Sequence, residues 1–198
     1  MKNKRLVKLG VSVVIPTYRG SVLMEKNLPS VLNSLRNGDE VIMVDDGGFK
    51  ETLTWLKKKF ELGRGVKKDD FTLYKGKYKK GQKNIEISYV LNHTNLRFAA
   101  NSNRGVELAV HPLIFLVNDD VSAYPDTVKK LVPYFKDENV FAVGCLEFDH
   151  EHGGAKSGKN KLWFERGMFI HSKGDDLKAG KTAWASGGSA MFSREKWL

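Results

Sequence analysis

The strongest constraint on this chain is an alternation. Short β-branched runs, each closed by a polar or glycine-containing cluster, take turns with longer stretches whose apolar residues recur at helical spacing. VSVVI (11–15) stops at Pro16, and in 21–36 the residues Leu28, Val31, Leu32 and Leu35 share one helical face, with Pro29 predicting a kink or a fresh helix start. EVIMV (40–44) and 51–60 repeat the strand-then-helix order, with Leu53, Leu56 and Phe60 on one side. IEISYVL (85–91) precedes a helix at 98–109, and LIFLV (113–117) precedes one at 125–135 that has proline at its favoured first position. VFAVGCLEF (140–148) reads as a fifth strand. Four such units in series predict an α/β fold: one domain over residues 1–198, a mainly parallel sheet with helices on both faces.

Two stretches break the pattern. A basic insertion occupies about 61–84, and a polar, glycine-rich variable loop occupies about 149–161 before an aromatic, strand-like segment at 162–172. The one cysteine, Cys145, cannot form an internal disulfide and reads as a buried structural thiol. No apolar run approaches the roughly 20 residues that cross a bilayer. The opening MKNKRLVKLG lacks the uninterrupted apolar stretch and small-residue cleavage site of a signal peptide, which predicts a cytoplasmic protein, either free or peripheral on the inner membrane face.

Charge is concentrated. The formal net charge is +10, yet residues 57–83 hold eleven Lys or Arg against Glu61, Asp69 and Asp70. The rest of the chain is nearly neutral, so the basicity describes one segment and predicts no nucleic-acid partner. Either that segment is a solvated loop or, with Tyr74 and Tyr78 among its lysines, it meets an anionic membrane surface or a phosphorylated partner.

In a parallel sheet, the residues that follow each strand share one edge, where open sheets of this kind bind ligands. Here that edge gathers Pro16-Thr17-Tyr18, Asp45-Asp46-Gly47-Gly48, the run from Asn92 to Arg97, and Asn118-Asp119-Asp120. Any one acid can cap the next helix. Two carboxylate pairs on one edge repel unless donors or a cation offset them. Hard Asp and Asn oxygens suit Mg²⁺ or Mn²⁺ bridging to substrate phosphates, which points to a nucleoside diphosphate. Neither GxxxxGK[ST] nor GxGxxG follows the first strand, so a P-loop nucleotidase and a dinucleotide dehydrogenase are unsupported. Asp149-His150-Glu151-His152 resembles a metal cluster but reads better as a solvated loop. Trp163, Phe164 and Trp184 can stack on a sugar ring or pack in a core.

VSVVIPTYRG, VIMVDDGG, NLRFAANSNRGVELA, FLVNDDVSAYPDTV and ASGGSAMFSREKW, in that order, resemble a family 2 glycosyltransferase of the inverting, GT-A type, from about Val11 onward. The resemblance implies that Pro16, Thr17, Tyr18, Asp45, Asp46, Asn95, Arg97, Asn103 and Asp119 bind the nucleotide, with Asp46 accepting from the base. It implies that Asp120 is the principal metal ligand beside Asn118, and that Gly187, Gly188 and Trp184 border the donor or acceptor sugar. The partners implied are a UDP, GDP or dTDP sugar and a glycan or lipid-linked acceptor, in cell-surface polysaccharide assembly.

Three departures from the pattern matter. Asn118 replaces the first acid of D-x-D, as in rhamnosyltransferase-like members. Arg97 stands where glycine is usual. The chain reaches Leu198 without the acidic E-D motif that supplies the family's base, so these residues are expected to bind nucleotide and transfer sugar poorly. The alternatives are a sugar nucleotidyltransferase, whose glycine-rich basic loop is absent after the first strand, and a non-catalytic module holding an anionic polymer or membrane.

Overall fold

The computed structural model describes residues 9–48, 50–149, 154–155, 158–174 and 176–198. Among them run, in order, β1 (Val11–Thr17), α1 (Ser21–Ser34), β2 (Glu40–Asp45), α2 (Lys50–Phe60), β3 (Val66–Lys67), β4 (Phe71–Lys80), β5 (Lys83–Asn92), α3 (Arg97–Leu108), β6 (Leu113–Val117) and α4 (Thr127–Leu131). Then come β7 (Ala142–Gly144), β8 (Phe148–Asp149), β9 (Gly154–Ala155), β10 (Asn160–Glu165), β11 (Met168–Lys173), β12 (Ser189–Ser193) and α5 (Arg194–Trp197).

The main sheet has the order β3-β4-β5-β2-β1-β6-β12-β7. Its centre is parallel: β1 lies between β2 and β6, and β5 extends the parallel set beyond β2. Antiparallel pairings continue it outward, through β4 to β3 on one side and through β12 to β7 on the other. Every residue of β1, β2 and β6 is buried, as expected of strands covered on both faces. Alternation divides them between two cores. Val11, Val13 and Ile15 join Met43, Phe115 and Tyr89 beneath α1, α2 and α4. Val14 joins Ile42, Val44, Val90 and Leu116 beneath α3. The three-layer α/β architecture is therefore the expected one.

Several boundaries differ from expectation. Pro29 lies inside α1 without ending it, because Met24, Leu28, Val31 and Leu32 bury the helix on both sides of the lost hydrogen bond. Pro125 sits in the turn ahead of α4 and is not its first residue, and α4 tightens into a 3₁₀ turn over Val132–Lys136, where Pro133 has no N–H for the α pattern. The single strand expected over 140–148 reduces to β7 and β8, since β12 offers β7 only three partners. The basic segment is not a loop. β4 and β5 pair in register from Phe71↔Asn92 to Lys80↔Lys83, and β3 adds to the outer edge. Lysines along such an edge keep it from pairing with other chains. Of the cluster 149–152, only Asp149 is among the described residues.

α3 lies close on the sheet because it carries Gly105. A Cβ there would come 2.3 Å from Val14 Cγ1 and 3.2 Å from Val44 Cγ2. Gly105→Val should therefore lower stability by about 3 kcal/mol through overpacking, measured by urea unfolding; an unchanged midpoint would mean that α3 does not seat as described.

Candidate functional site

The carboxyl ends of β1, β2, β5 and β6 surround a cavity of about 390 Å³ lined by Pro16, Thr17, Tyr18, Leu23, Asp46, Asn95, Arg97, Phe98, Asn101, Asn118 and Asp119. It forms where strand order turns outward on either side of β1, the usual ligand crevice of an open parallel sheet. Segments 102 residues apart in the chain meet in it: the Thr17 hydroxyl donates to Asp119 Oδ2 at 2.6 Å. Gly20 makes this contact possible, since a Cβ there would come 2.0 Å from Asp119 Oδ2.

Asp46 is buried and fully engaged. Its Oδ1 accepts from Asn92 Nδ2 (2.9 Å) and from the Leu96 amide (2.7 Å), and its Oδ2 accepts from the Arg97 amide (2.7 Å). Leu96 is right-handed (φ −92°, ψ −9°) and Arg97 left-handed (φ 66°). Successive residues of that kind turn their N–H groups toward one point and form an anion-binding nest. Here β2 supplies the anion, so Asp46 caps α3 from another strand. Asn92 also donates to Asn101 Oδ1 (2.8 Å), Asn101 to the Val44 carbonyl (2.9 Å), and the Arg104 guanidinium to Asn92 and Asp70. A charged network thus binds the β5–α3 corner to β2.

Of the residues expected at the site, Pro16, Thr17, Tyr18, Asp46, Asn95, Arg97, Asn118 and Asp119 do line the cavity. Asp45 does not. It is fully buried, accepts from the Tyr89 hydroxyl at 2.5 Å and from the Gly47 and Gly48 amides at 2.9 and 3.2 Å, and so braces the turn from below. Asn103 faces elsewhere and accepts from Trp197 Nε1 at 2.9 Å, tying α3 to α5. Asp120 is exposed and outside the lining. Gly187 and Gly188 border the cavity at one remove: a Cβ on Gly187 would stand 3.6 Å from Phe98, and the Gly188 carbonyl accepts from the Asn118 amide at 2.9 Å. Trp184 meets the His171 ring edge to face at 5.6 Å, beside β11. Phe98, Leu23 and Asn101 are wall residues that sequence reasoning missed; for Phe98 and Asn101 the signal available was their place in the first turns of the helix after the Asn92–Arg97 cluster, and Leu23 lies in the first turn of α1.

Burial pushes the Asp119 carboxyl above its ordinary range, the Thr17 hydroxyl opposes that, and Asp120 adds to it. Burial and Asp45 push the Tyr89 phenol up. Burial, with Glu147 nearby, pushes the Cys145 thiol to about 12, as expected of an inert structural cysteine.

Among the described residues no group of three or more His, Cys, Asp or Glu is placed to hold a metal ion. The donor set nonetheless fits a divalent cation shared with substrate phosphates. Asn118 Oδ1 is buried without a hydrogen-bond partner, Asp119 lines the cavity with it, and Asp120 follows them in the chain, all hard oxygens.

Residues 12–197 match the family model described as glycosyl transferase family 2. The chain belongs to this family. It is 26% identical over 187 residues to the O-antigen chain rhamnosyltransferase RfbN of Salmonella typhimurium, covering 93% of this chain and 52% of that protein. It therefore spans about half the length of the curated relative. A mannosyltransferase of Pyrobaculum calidifontis, solved with GDP-Man and Mn²⁺, superposes with a TM-score of 0.54 at 18% identity, covering 72% of this chain and 36% of that one. TarS 1–349 of S. aureus, solved with UDP-GlcNAc, also gives 0.54, at 17% identity over 78% and 39% of the two chains. These likenesses establish the GT-A fold.

Two outcomes follow from the geometry. Arg97→Gly should stabilise the chain by about 1 kcal/mol, since a left-handed non-glycine residue costs more than glycine's extra freedom; equal or lower stability by urea unfolding would refute this. Asp119→Asn should raise the melting temperature at pH 7. A raised folded-state pKa means that ionisation costs stability as the pH climbs through it, so the gain should vanish as the pH falls below the ordinary aspartate range, followed by calorimetry across pH.

Proposed function

We propose that the chain is the nucleotide-sugar-binding core of a glycosyltransferase. The whole protein would move a sugar, with inversion, from a nucleoside-diphosphate sugar to a glycan or lipid-linked acceptor in cell-surface polysaccharide assembly. The observation that carries this reading is the convergence of Thr17, Asp46, Arg97, Asn118 and Asp119, from four separate strand ends, on one cavity. The names of the matched proteins support the substrate class: RfbN is a rhamnosyltransferase, and the two solved structures hold GDP-Man and UDP-GlcNAc.

The residues divide the work by their chemistry. Tyr18 and Phe98 offer exposed aromatic surface for a nucleobase, and Asp46 keeps the β5–α3 corner in place through the nest, leaving its carboxylate committed to the protein. The Arg97 guanidinium suits a diphosphate. Asn118 and Asp120 are the proposed holders of a divalent cation, with Asp119, in the cavity wall, held by Thr17. When bound, that cation would supply charge neutralisation for the departing diphosphate. In the overall reaction the acceptor oxygen bonds to the anomeric carbon, the bond from that carbon to the diphosphate oxygen breaks, and the acceptor proton passes to a base. Asp46 has no oxygen free of a donor and Asp119 is held by Thr17, so neither is assigned that proton.

Titration calorimetry with UDP, GDP and dTDP, with and without Mn²⁺, tests the reading. One nucleotide should bind in a Mn²⁺-dependent way, and Asp120→Asn should weaken that binding at least about tenfold while leaving the metal-free signal alone. Binding of none of the three, with the chain folded, would overturn it; Mn²⁺-dependent binding lost in Asp119→Asn and kept in Asp120→Asn would move the metal site to Asp119.

A further inference from the structure

β10 and β11 form a two-stranded ribbon apart from the main sheet. Their register sets Leu162 opposite His171 and Phe164 opposite Phe169, so these four side chains share a face, while Trp163 and Ile170 share the other. On the first face Leu162, Phe164 and Phe169 are 51%, 66% and 72% exposed. The two phenylalanine rings meet edge to face at 5.4 Å. Met168, on the opposite face, is exposed as well. A two-stranded ribbon is marginal in water by itself, and a contiguous apolar patch bounded by charge marks a contact surface.

The base of the ribbon is fixed to the body. The Asn160 amide donates to Thr182 Oγ1 (2.9 Å), Ala183 to the Asn160 carbonyl (2.9 Å), Gly174 to the Lys159 carbonyl (2.8 Å), and Asn160 Nδ2 to the Trp184 carbonyl (3.1 Å). Its position follows from topology. β7 runs parallel to β6 through β12 and ends at Gly144 opposite Ala190, and β12 starts at Ser189 opposite Val117. The ribbon is inserted between these two points, so it leaves from the end of the sheet that carries the cavity.

Its chemistry is hydrocarbon with a cationic fringe. Within 160–173 stand Lys161, Arg166 and Lys173 against one acid, Glu165; the register puts Lys173 on the face of Leu162, Phe164 and Phe169, and Lys161 and Glu165 on the other, with Arg166 in the turn 3.9 Å from Glu165. Apolar side chains beside Lys and Arg match the acyl boundary and phosphate headgroups of an anionic leaflet. The lysine-rich segment offers less. Lys79, Lys80 and Lys83 lie at the β4–β5 turn, at the opposite end of the sheet from the cavity. Lys75, Lys77 and Lys83 already engage Ser88, Glu86 and the Asn33 carbonyl.

We propose that the β10–β11 ribbon is a bilayer contact, laying Leu162, Phe164 and Phe169 into the interface of an anionic membrane while Lys173, on the same face, and Arg166, in the turn, reach its phosphates, on the cavity side of the molecule. This moves the membrane surface expected at 57–83 to the other end of the fold, and it stands without the transferase reading.

The test is co-sedimentation of the 198-residue chain with phosphatidylcholine vesicles with or without phosphatidylglycerol. The chain should bind the anionic vesicles and bind phosphatidylcholine alone weakly. Phe164→Ser with Phe169→Ser should lower the partition coefficient at least about tenfold, with unchanged near-ultraviolet circular dichroism. Arg166→Glu with Lys173→Glu should lower binding only where phosphatidylglycerol is present. Absence of binding to anionic vesicles overturns the proposal, as does full binding by the double phenylalanine variant. It is equally overturned if Lys79→Glu with Lys80→Glu abolishes binding, or if the chain forms a dimer that the phenylalanine variant dissolves while neither variant affects vesicles.

Discussion

The site depends on one carboxylate. Asp46 stands at the end of β2, yet its bonds go to Asn92 and to the amides of Leu96 and Arg97 about 50 residues further along. A sheet edge and a helix start would otherwise leave these polar groups facing a partly dry crevice, where an unpaired donor costs about 1–3 kcal/mol. By answering three donors at once, Asp46 sets the distance between the β2 turn and α3, and so the width of the cavity. The same requirement explains the left-handed backbone at Arg97: only with that turn do both amides reach the same carboxylate.

Below that edge the frame is apolar and regular. β1, β2 and β6 are buried on both faces, with α3 on one side and α1, α2 and α4 on the other. This part was legible in the sequence because it rests on local periodicity. VSVVI, EVIMV and LIFLV could hardly be anything but covered strands, and Leu28, Val31 and Leu32 repeat as a buried helical face must. The polar clusters after those strands were legible for the same reason, since strand ends in a parallel sheet converge whatever their sequence.

What was not legible depends on partners distant in the chain. Nothing local to Asp45 and Asp46 says which points up into the cavity and which down onto Tyr89; the pleat of β2 and the burial of Tyr89 decide it. Asn103 looks like its neighbours in NLRFAANSNRG, but helical phase turns it to Trp197, while Asn101 faces the wall. The lysines of β4 read as a loop because strand propensity is weak for lysine, and their pairing with β5 overrides it. Phe164 and Phe169 could be called core or surface only once their strands were seen to lack a covering layer.

The nest has one further consequence, for how freely such a chain can diverge. Its geometry is written in main-chain amides, which any residue supplies, and in one acidic side chain. Leu96 can drift without loss, position 97 admits whatever tolerates a left-handed turn, and the frame beneath accepts any apolar residue of suitable volume. The shape can therefore persist while the letters change, and an identity of 26% to a relative becomes compatible with a shared architecture. Positions with little latitude are those where a missing atom matters, among them Gly20 beneath Asp119 and Gly105 against Val14.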